Sequence, residues 1–352
     1  MNDQKTIFIV DDIVTNLSVV KDALKADYRV RTLSSAAHLF ELLSKVKPDL
    51  ILLDIEMPVM TGIEAFDILR ADKELSDIPV IFLTSVVDSQ VESDLFAKGA
   101  VDFVSKPFSE AVLRNRIKMH LNLNLLIKER TRALKRKTKA LKRIQDALVS
   151  VLSDMVENRD QETGGHVWRT SEYMRLLIEE MVRQGLYREE LHEEDIEMLV
   201  ASAKLHDIGK IKISDNVLNK PGKLSDEEFD RMRHHTTLGA DIIDRMMSLS
   251  GEAQFLDIAK VIALSHHERW DGTGYPAGLQ GREIPLQARI MSLVDVYDAL
   301  RSERPYKAAM SPDETVTLIT EAAGTQFDPE IVQVFLSIKD RFEALREEEE
   351  EA

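Results

Sequence analysis

The sequence predicts a multidomain protein: an α/β doubly wound five-stranded parallel sheet, then a long coiled-coil helix, then an all-α helical bundle. Three observations predict it. Roughly the first 120 residues alternate short apolar runs with amphipathic stretches, and the segment from Glu110 to Val151 lacks both proline and glycine. Beyond Leu152 no strand-like alternation is sustained.

Strands are predicted at Ile7–Val10, Tyr28–Thr32, Leu50–Leu53, Val80–Leu83 and Phe103–Val104, with helices such as Leu17–Lys25 and Ala36–Lys45 between them. A βα alternation of this kind gathers its functional groups at the carboxyl ends of the strands. In the proline-free segment, Ile127, Leu134, Leu141 and Leu148 recur every seven residues, with Leu123, Ile144 and Val151 on companion positions. That seam predicts a homodimer through a coiled coil, although Arg130 and Lys137 interrupt it. The basic surface from Lys128 to Arg143 reads as a solvated helix face rather than a nucleic-acid site. Pro221-Gly222 and the run Gly272 to Gly278 mark loops in the helical remainder.

Composition narrows the function classes. A length of 352 residues suits two or three domains. No run approaches the ~18 apolar residues of a membrane helix, and Thr6–Val10 is too short and too soon followed by acids to be a signal peptide. The expectation is a cytoplasmic chain without membrane insertion. Cysteine is absent, so disulfides and thiolate ligands are excluded, and a metal must be held by imidazole nitrogen and carboxylate oxygen. Iron, manganese, magnesium and a catalytic zinc all suit such a set. The net charge of −16 argues against DNA binding.

Two constellations of polar residues stand out. Asp11 and Asp12 follow the first strand, Asp54 ends the third, Thr84 ends the fourth, and Lys106-Pro107 follow the fifth. Carboxylates at one sheet edge can bind Mg²⁺ while one of them attacks phosphorus. This half resembles the response-regulator receiver domain, with its flavodoxin-like fold, over roughly residues 4–122. The resemblance implies Asp54 as phosphoacceptor, Asp11, Asp12 and the Glu56 carbonyl around Mg²⁺, and Thr84 and Lys106 on the phosphoryl group. It also implies Phe103 at the aromatic switch position and a cognate histidine kinase as partner.

The second constellation comprises Glu162, His166, His206-Asp207, His235, His266-His267 and Asp295. Converging histidines and carboxylates bind divalent metal and can activate water. Glu162 and His166, four apart, share a helical face if a helix runs through Gly164-Gly165. Asp295 is a carboxylate in an apolar helix and needs a partner there. His38, His120, His192 and His234 read as ordinary surface or core histidines.

The motifs Arg159 to His166, His206-Asp207-Ile208-Gly209-Lys210, His266 to Pro276 and Asp295 to Lys307 resemble those of the HD-GYP family, the cyclic-di-GMP phosphodiesterases of the HD superfamily. The resemblance covers about Asp154 to Phe335 and implies an all-α HD-superfamily bundle with a di- or tri-nuclear iron or manganese centre. His206, Asp207, His235, His266, His267 and Asp295 would be ligands, together with His166, and Glu162 an extra carboxylate for a third metal. Lys210 would position the nucleophile or contact phosphate, Tyr275 would touch the ligand, and Arg304 and Lys307 would hold substrate phosphates.

The expected division is 1–122 receiver, 123–152 coiled-coil linker, 153–340 phosphohydrolase and 341–352 acidic tail. The expected activity is phosphorylation-controlled hydrolysis of cyclic-di-GMP to pGpG, with further cleavage to GMP only if the groove admits the linear dinucleotide. Alternatives are a catalytically slow cyclic-dinucleotide sensor, or an HD phosphohydrolase of another nucleotide. The GYP loop offers a docking surface for a diguanylate cyclase.

Overall fold

The computed structural model describes the chain apart from residues 1–3, 86–88, 160–164, 193–194, 252–253, 304–307 and 351–352, and apart from the side chains of 89–92 and 349–350. Five strands, β1 (Thr6–Val10), β2 (Arg29–Leu33), β3 (Leu50–Asp54), β4 (Val80–Thr84) and β5 (Asp102–Ser105), form a parallel sheet of order β2-β1-β3-β4-β5. Between them lie α1 (Val14–Leu24), α2 (Ala36–Leu43), α3 (Gly62–Ala71) and α4 (Ser89–Ala97).

The central strands read as unbroken apolar runs because both sheet faces are covered. Alternate side chains divide between the two faces. Phe8, Val10, Ile51, Leu53 and Phe82 pack against Leu39 of α2, Phe66 of α3 and Leu95 of α4. Ile7, Ile9, Leu50, Leu52 and Ile81 pack against Val20 and Leu24 of α1 and against Leu113 and Ile117 of α5 (Glu110–Glu157). Thr61 begins α3 with a capping box to Glu64.

The chain divides into two compact units, Met1–Lys139 and Ala140–Ala352, with the boundary inside α5. The second unit continues with α6 (His166–Gln184), α7 (Ile196–Ala203), α8 (Asp215–Leu218), α9 (Asp226–Arg233) and α10 (His235–Ser250). It ends with α11 (Gln254–Ser265), α12 (Leu286–Arg301), α13 (Pro312–Glu321) and α14 (Pro329–Glu350). Its main core joins α6, α7, α12 and α14 through Leu177, Ile178, Val200, Ile290, Leu293 and Phe335.

An aromatic cluster closes that core. The Tyr173 ring stacks on Phe342 at 4.5 Å and meets Tyr297 edge-on at 5.0 Å. A smaller cluster of Val149, Val156, Leu205, Ile208, Ile243 and Ala263 buries the residues on either side of His206-Asp207. The acidic run as far as Glu350 lies in the last turns of α14, beyond the buried Phe342. No helix among the described residues is long and apolar enough to cross a membrane.

Phe342 is fully buried, so Phe342→Ala removes a ring that its neighbours cannot replace. The expected loss is about 3–5 kcal/mol in urea unfolding of the helical unit. A loss below about 1 kcal/mol would mean that the end of α14 is not part of the core.

Candidate metal centre and phosphoryl site

Adjacent parallel strands carry Asp11, Asp54, Thr84 and Lys106 to one sheet edge. Oxygens of Asp11, Asp12 and Asp54 lie within 4.8 Å of one another. The Lys106 ammonium donates to Asp11 Oδ2 at 2.7 Å and stands 2.9 Å from Asp54 Oδ1. Burial pushes the Asp54 carboxyl up, against the lowering effect of Lys106. Burial also works against the Lys106 charge, but bonds to Asp11 and Asp54 hold its pKa above the ordinary value.

A cleft of about 640 Å³ opens over these groups, with Glu56 and Ser85 in its wall. Asn16, which the sequence reading missed, donates to Asp11 and orients it. A Cβ on Gly62 would come within 1.9 Å of the Asp54 carbonyl oxygen, so α3 can begin there only with glycine. Phe103 lies against Phe96, ring centres 4.5 Å apart.

In the second unit, the predicted ligands come from helix ends. His166 opens α6, His235 opens α10, and His266-His267 follow the last residue of α11. His206 and Asp207 are not within an α-helix: α7 ends at Ala203, and a 3-10 turn begins at Ile208. Gly209 in that turn lies against α10, where a Cβ would come within 1.9 Å of the His235 carbonyl oxygen. The close approach places Asp207 beside His235. Asp295 reaches in from α12, with Oδ1 3.5 Å from His166 Nε2.

These side chains form two groups, His166, His206 and Asp207, and His235, His266 and His267, each with ligand atoms within 4.8 Å. Asp207 touches both. Its Oδ2 is 3.3 Å from His206 Nε2, and its Oδ1 is 3.3 Å from His235 Nε2 and 3.7 Å from His266 Nε2. Lys210 Nζ lies 2.9 Å from Asp207 Oδ2. The His235 and His266 Nε2 atoms are only 3.5 Å apart.

The outer hydrogen bonds set the imidazole tautomers. His206 Nδ1 faces the Ala203 carbonyl at 2.9 Å, His235 Nδ1 that of Met232 at 2.8 Å, and His266 Nδ1 that of Ile262 at 3.0 Å. His166 Nδ1 faces Asp298 Oδ2 at 2.8 Å. An acceptor opposite Nδ1 requires the proton there and leaves Nε2 as a lone pair aimed inward.

Burial holds the pKa of His235 low, that of His266 well below its ordinary value, and that of His267 at about 4, so these rings are neutral at pH 7. For His206 burial is outweighed by the Asp207 charge, and its pKa is raised. Burial likewise opposes the Asp207 charge, but Lys210 and His206 keep its carboxyl well below the usual range. His206 Nε2 and Asp207 Oδ1 are buried without a hydrogen-bond partner among the described residues. Such atoms are costly unless something else coordinates them. The chemistry of the donor set fits divalent cations.

The sequence reading missed the supports of this centre. Asp298 is buried and accepts from Arg169 Nε at 2.6 Å and Nη2 at 3.0 Å as well as from His166. The pairs His166/Arg169 and Asp295/Asp298 are each three residues apart on helices that pack together, a spacing visible in the sequence. Glu157 Oε1 accepts the His166 amide at 2.7 Å. Glu268 is buried and accepts the amides of Ala277 and Leu279, which fastens the loop bearing Tyr275. The Tyr275 ring lies 4.9 Å from that of His267.

One sequence argument does not carry over. Gly165 has φ +91° and α6 starts after it, so no continuous helix gives Glu162 and His166 a shared face. Glu162, Arg304 and Lys307 themselves lie outside the described residues.

Comparison with known proteins agrees with both halves. The response-regulator receiver domain family matches residues 7–118, and the HD domain family matches 150–331. A probable cyclic di-GMP phosphodiesterase of Vibrio cholerae is 41% identical, over 96% of this chain and 79% of its own. The cyclic di-GMP phosphodiesterase response regulator RpfG of Xanthomonas campestris is 35% identical, over 94% of this chain and 86% of its own. A cyclic di-GMP phosphodiesterase of Thermotoga maritima is 33% identical, over 98% of this chain and 94% of its own. The fold and the site define a receiver joined to an HD-type phosphohydrolase bundle. The chain belongs to the response regulators of the HD-domain cyclic-di-GMP phosphodiesterase family.

Asp298→Asn keeps the shape but loses the charge that orients His166, so metal affinity should fall about 10- to 100-fold in a titration. The Asp298 carboxyl is held at about 2, below its ordinary 3.8, because bonds from His166 and Arg169 outweigh burial. Its stabilisation, about 2 kcal/mol, is therefore present above about pH 4 and lost as pH falls through about 2. Acid unfolding of the Asn variant should lack that step; an unchanged acid profile and metal affinity would refute the role.

Proposed function

We propose that this chain hydrolyses cyclic-di-GMP to linear pGpG, with onward cleavage to GMP, under control of phosphorylation at Asp54 by a cognate histidine kinase. The observation that carries the reading is the Asp207 carboxylate standing between two groups of inward-aimed imidazoles. In this reading His166, His206, Asp207, His235, His266, His267 and Asp295 hold iron or manganese, and Glu162 adds a carboxylate for a third ion. Divalent ions bound there supply Lewis acidity to the phosphoryl oxygens and lower the pKa of an attacking water.

The chain's own groups do the rest. Lys210 fixes Asp207 and offers a cation to the phosphodiester beside it. Tyr275 presents a ring next to His267 for the nucleotide. Arg304 and Lys307 are assigned to the substrate phosphates on the resemblance. In the receiver, Asp54 accepts the phosphoryl group, Asp11, Asp12 and the Glu56 carbonyl hold Mg²⁺, Thr84 and Lys106 receive the phosphoryl oxygens, and Phe103 responds as the switch residue. The working division remains a receiver to 122, a helical linker to 152, a phosphohydrolase to 340 and an acidic end.

The direct test is anaerobic turnover of cyclic-di-GMP by Fe(II)- or Mn(II)-loaded protein, with products separated by chromatography, with and without beryllofluoride. Asp207→Ala should abolish turnover and reduce metal content while the receiver still accepts phosphate. Asp54→Ala should retain basal turnover and lose the response to beryllofluoride. Full turnover by Asp207→Ala would end the metal mechanism.

Leu134, Leu141, Ile144 and Leu148 are exposed along α5, which supports a homodimer through that seam. Replacing both Leu134 and Leu141 by glutamate should shift the sedimentation mass from dimer to monomer. A monomeric wild type would remove the seam's role.

A further inference from the structure

Beside Tyr275 the helical unit has a pocket of about 330 Å³ lined by Asp230, Arg233, His234, Thr237, Tyr275 and Pro276. That volume is at the lower end of small-molecule sites, enough for one nucleotide unit. Its walls come from α9, the start of α10 and the loop fastened by Glu268. It adjoins the metal centre on two sides, because Tyr275 lies against His267 and His234 directly precedes His235.

The pocket has an ordered pattern of polar groups. The Arg233 guanidinium lies 4.7 Å from the Phe229 ring centre and 5.2 Å from that of Tyr275, so two aromatic rings hold its plane. Arg233 Nη1 is 3.6 Å from Asp230 Oδ1, too long for a hydrogen bond. The two side chains therefore stand side by side as a donor fork and an acceptor pair, neither hydrogen-bonded to another side chain among the described residues. His234 Nδ1 donates to the Asp230 carbonyl at 2.6 Å and holds the turn between α9 and α10.

We propose that this pocket takes one guanine of the substrate and sets the base selectivity of the enzyme, with Arg233 and Asp230 as the reading pair. The proposal rests on the cyclic-dinucleotide reading above. Guanine offers acceptors at O6 and N7, which match the two donors of an arginine fork. Its neighbouring N1–H and N2–H groups match a carboxylate. Adenine keeps the N7 acceptor but sets an amino donor against the second arm of the arginine fork and a bare N1 acceptor against the aspartate, so each contact gains a like-polarity clash. The Tyr275 ring supplies a stacking face for the base.

The test uses equilibrium binding of GMP and AMP to the full-length Mn(II)-loaded protein. The phosphate contributes equally to both nucleotides, so the ratio of their Kd values isolates the base. Wild type should favour GMP about tenfold or more. Asp230→Asn and Arg233→Gln should each bring the ratio towards one, and Arg233→Lys should lose most of it, since an ammonium keeps the charge without the fork. Both altered positions, Asp230 and Arg233, carry exposed side chains, so folding is not at stake.

Equal wild-type affinities, or a preference that all three variants keep, would overturn the pocket. Turnover of cyclic-di-GMP by the wild type judges the catalytic reading separately. Turnover without a base preference removes the pocket and leaves the enzyme. A GMP preference lost in the variants, in a chain that hydrolyses nothing, keeps the pocket and removes the enzyme.

Discussion

The helical unit depends on one buried charge. Asp207 is ionised and largely shielded from water, and an isolated carboxylate there would cost several kcal/mol. Lys210 and the imidazoles of His206, His235 and His266 surround it instead. Each of those imidazoles is fixed by a backbone carbonyl on its outer nitrogen, so the arrangement cannot relax by rotating rings. Helix ends supply the acceptors: carbonyls in the last turns of α7, α9 and α11 take the outer imidazole protons in addition to a backbone N–H, and the same turns aim the inner nitrogens.

The receiver repeats the device with different parts. Asp11 and Asp54 share one partly buried lysine, Lys106, as Asp207 uses Lys210. In both sites burial disfavours the carboxylate charge and a lysine stabilises it. The balance differs. Burial wins at Asp54, whose pKa is raised, and the positive neighbours win at Asp207, whose pKa is lowered. A raised pKa goes with a carboxylate poorly solvated and ready to react, whereas a lowered one goes with a permanent anion suited to holding cations.

Legibility followed the period of the signal. The five strands were readable because runs such as Leu50–Leu53 have no room for another structure between turn residues, and the long helix because nothing from Glu110 to Val151 breaks it. The centre's histidines and acids were readable as an unusual set, but their grouping was not. Only the fold shows that Asp207 bridges two groups and that His206-Asp207 lie beyond the end of a helix. Asp298, Arg169 and Glu268 escaped because their chemistry is ordinary and their importance comes from burial against a partner more than a hundred residues away, or across a loop. The glycine at 165 misled in the other direction, since an i, i+4 spacing means nothing where the backbone turns left-handed.

Control of one site by the other requires a free-energy difference, not proximity. The helix α5 has the local contacts such a difference would use. Its first turns contribute Leu113, Ile117 and Leu121 to the receiver core. At its far end Val149 and Val156 enter the cluster around Leu205 and Ile208, and Glu157 accepts the amide of His166. A change in the receiver that favours one register or pairing of this helix thus bears on the first residue of α6 and on the turn that carries Asp207. Within the second unit the end of α5 is in direct contact with the supports of the centre. Glu157, the last residue of α5, holds the His166 amide, so the sign of any control depends on whether the phosphorylated receiver favours or disfavours that contact.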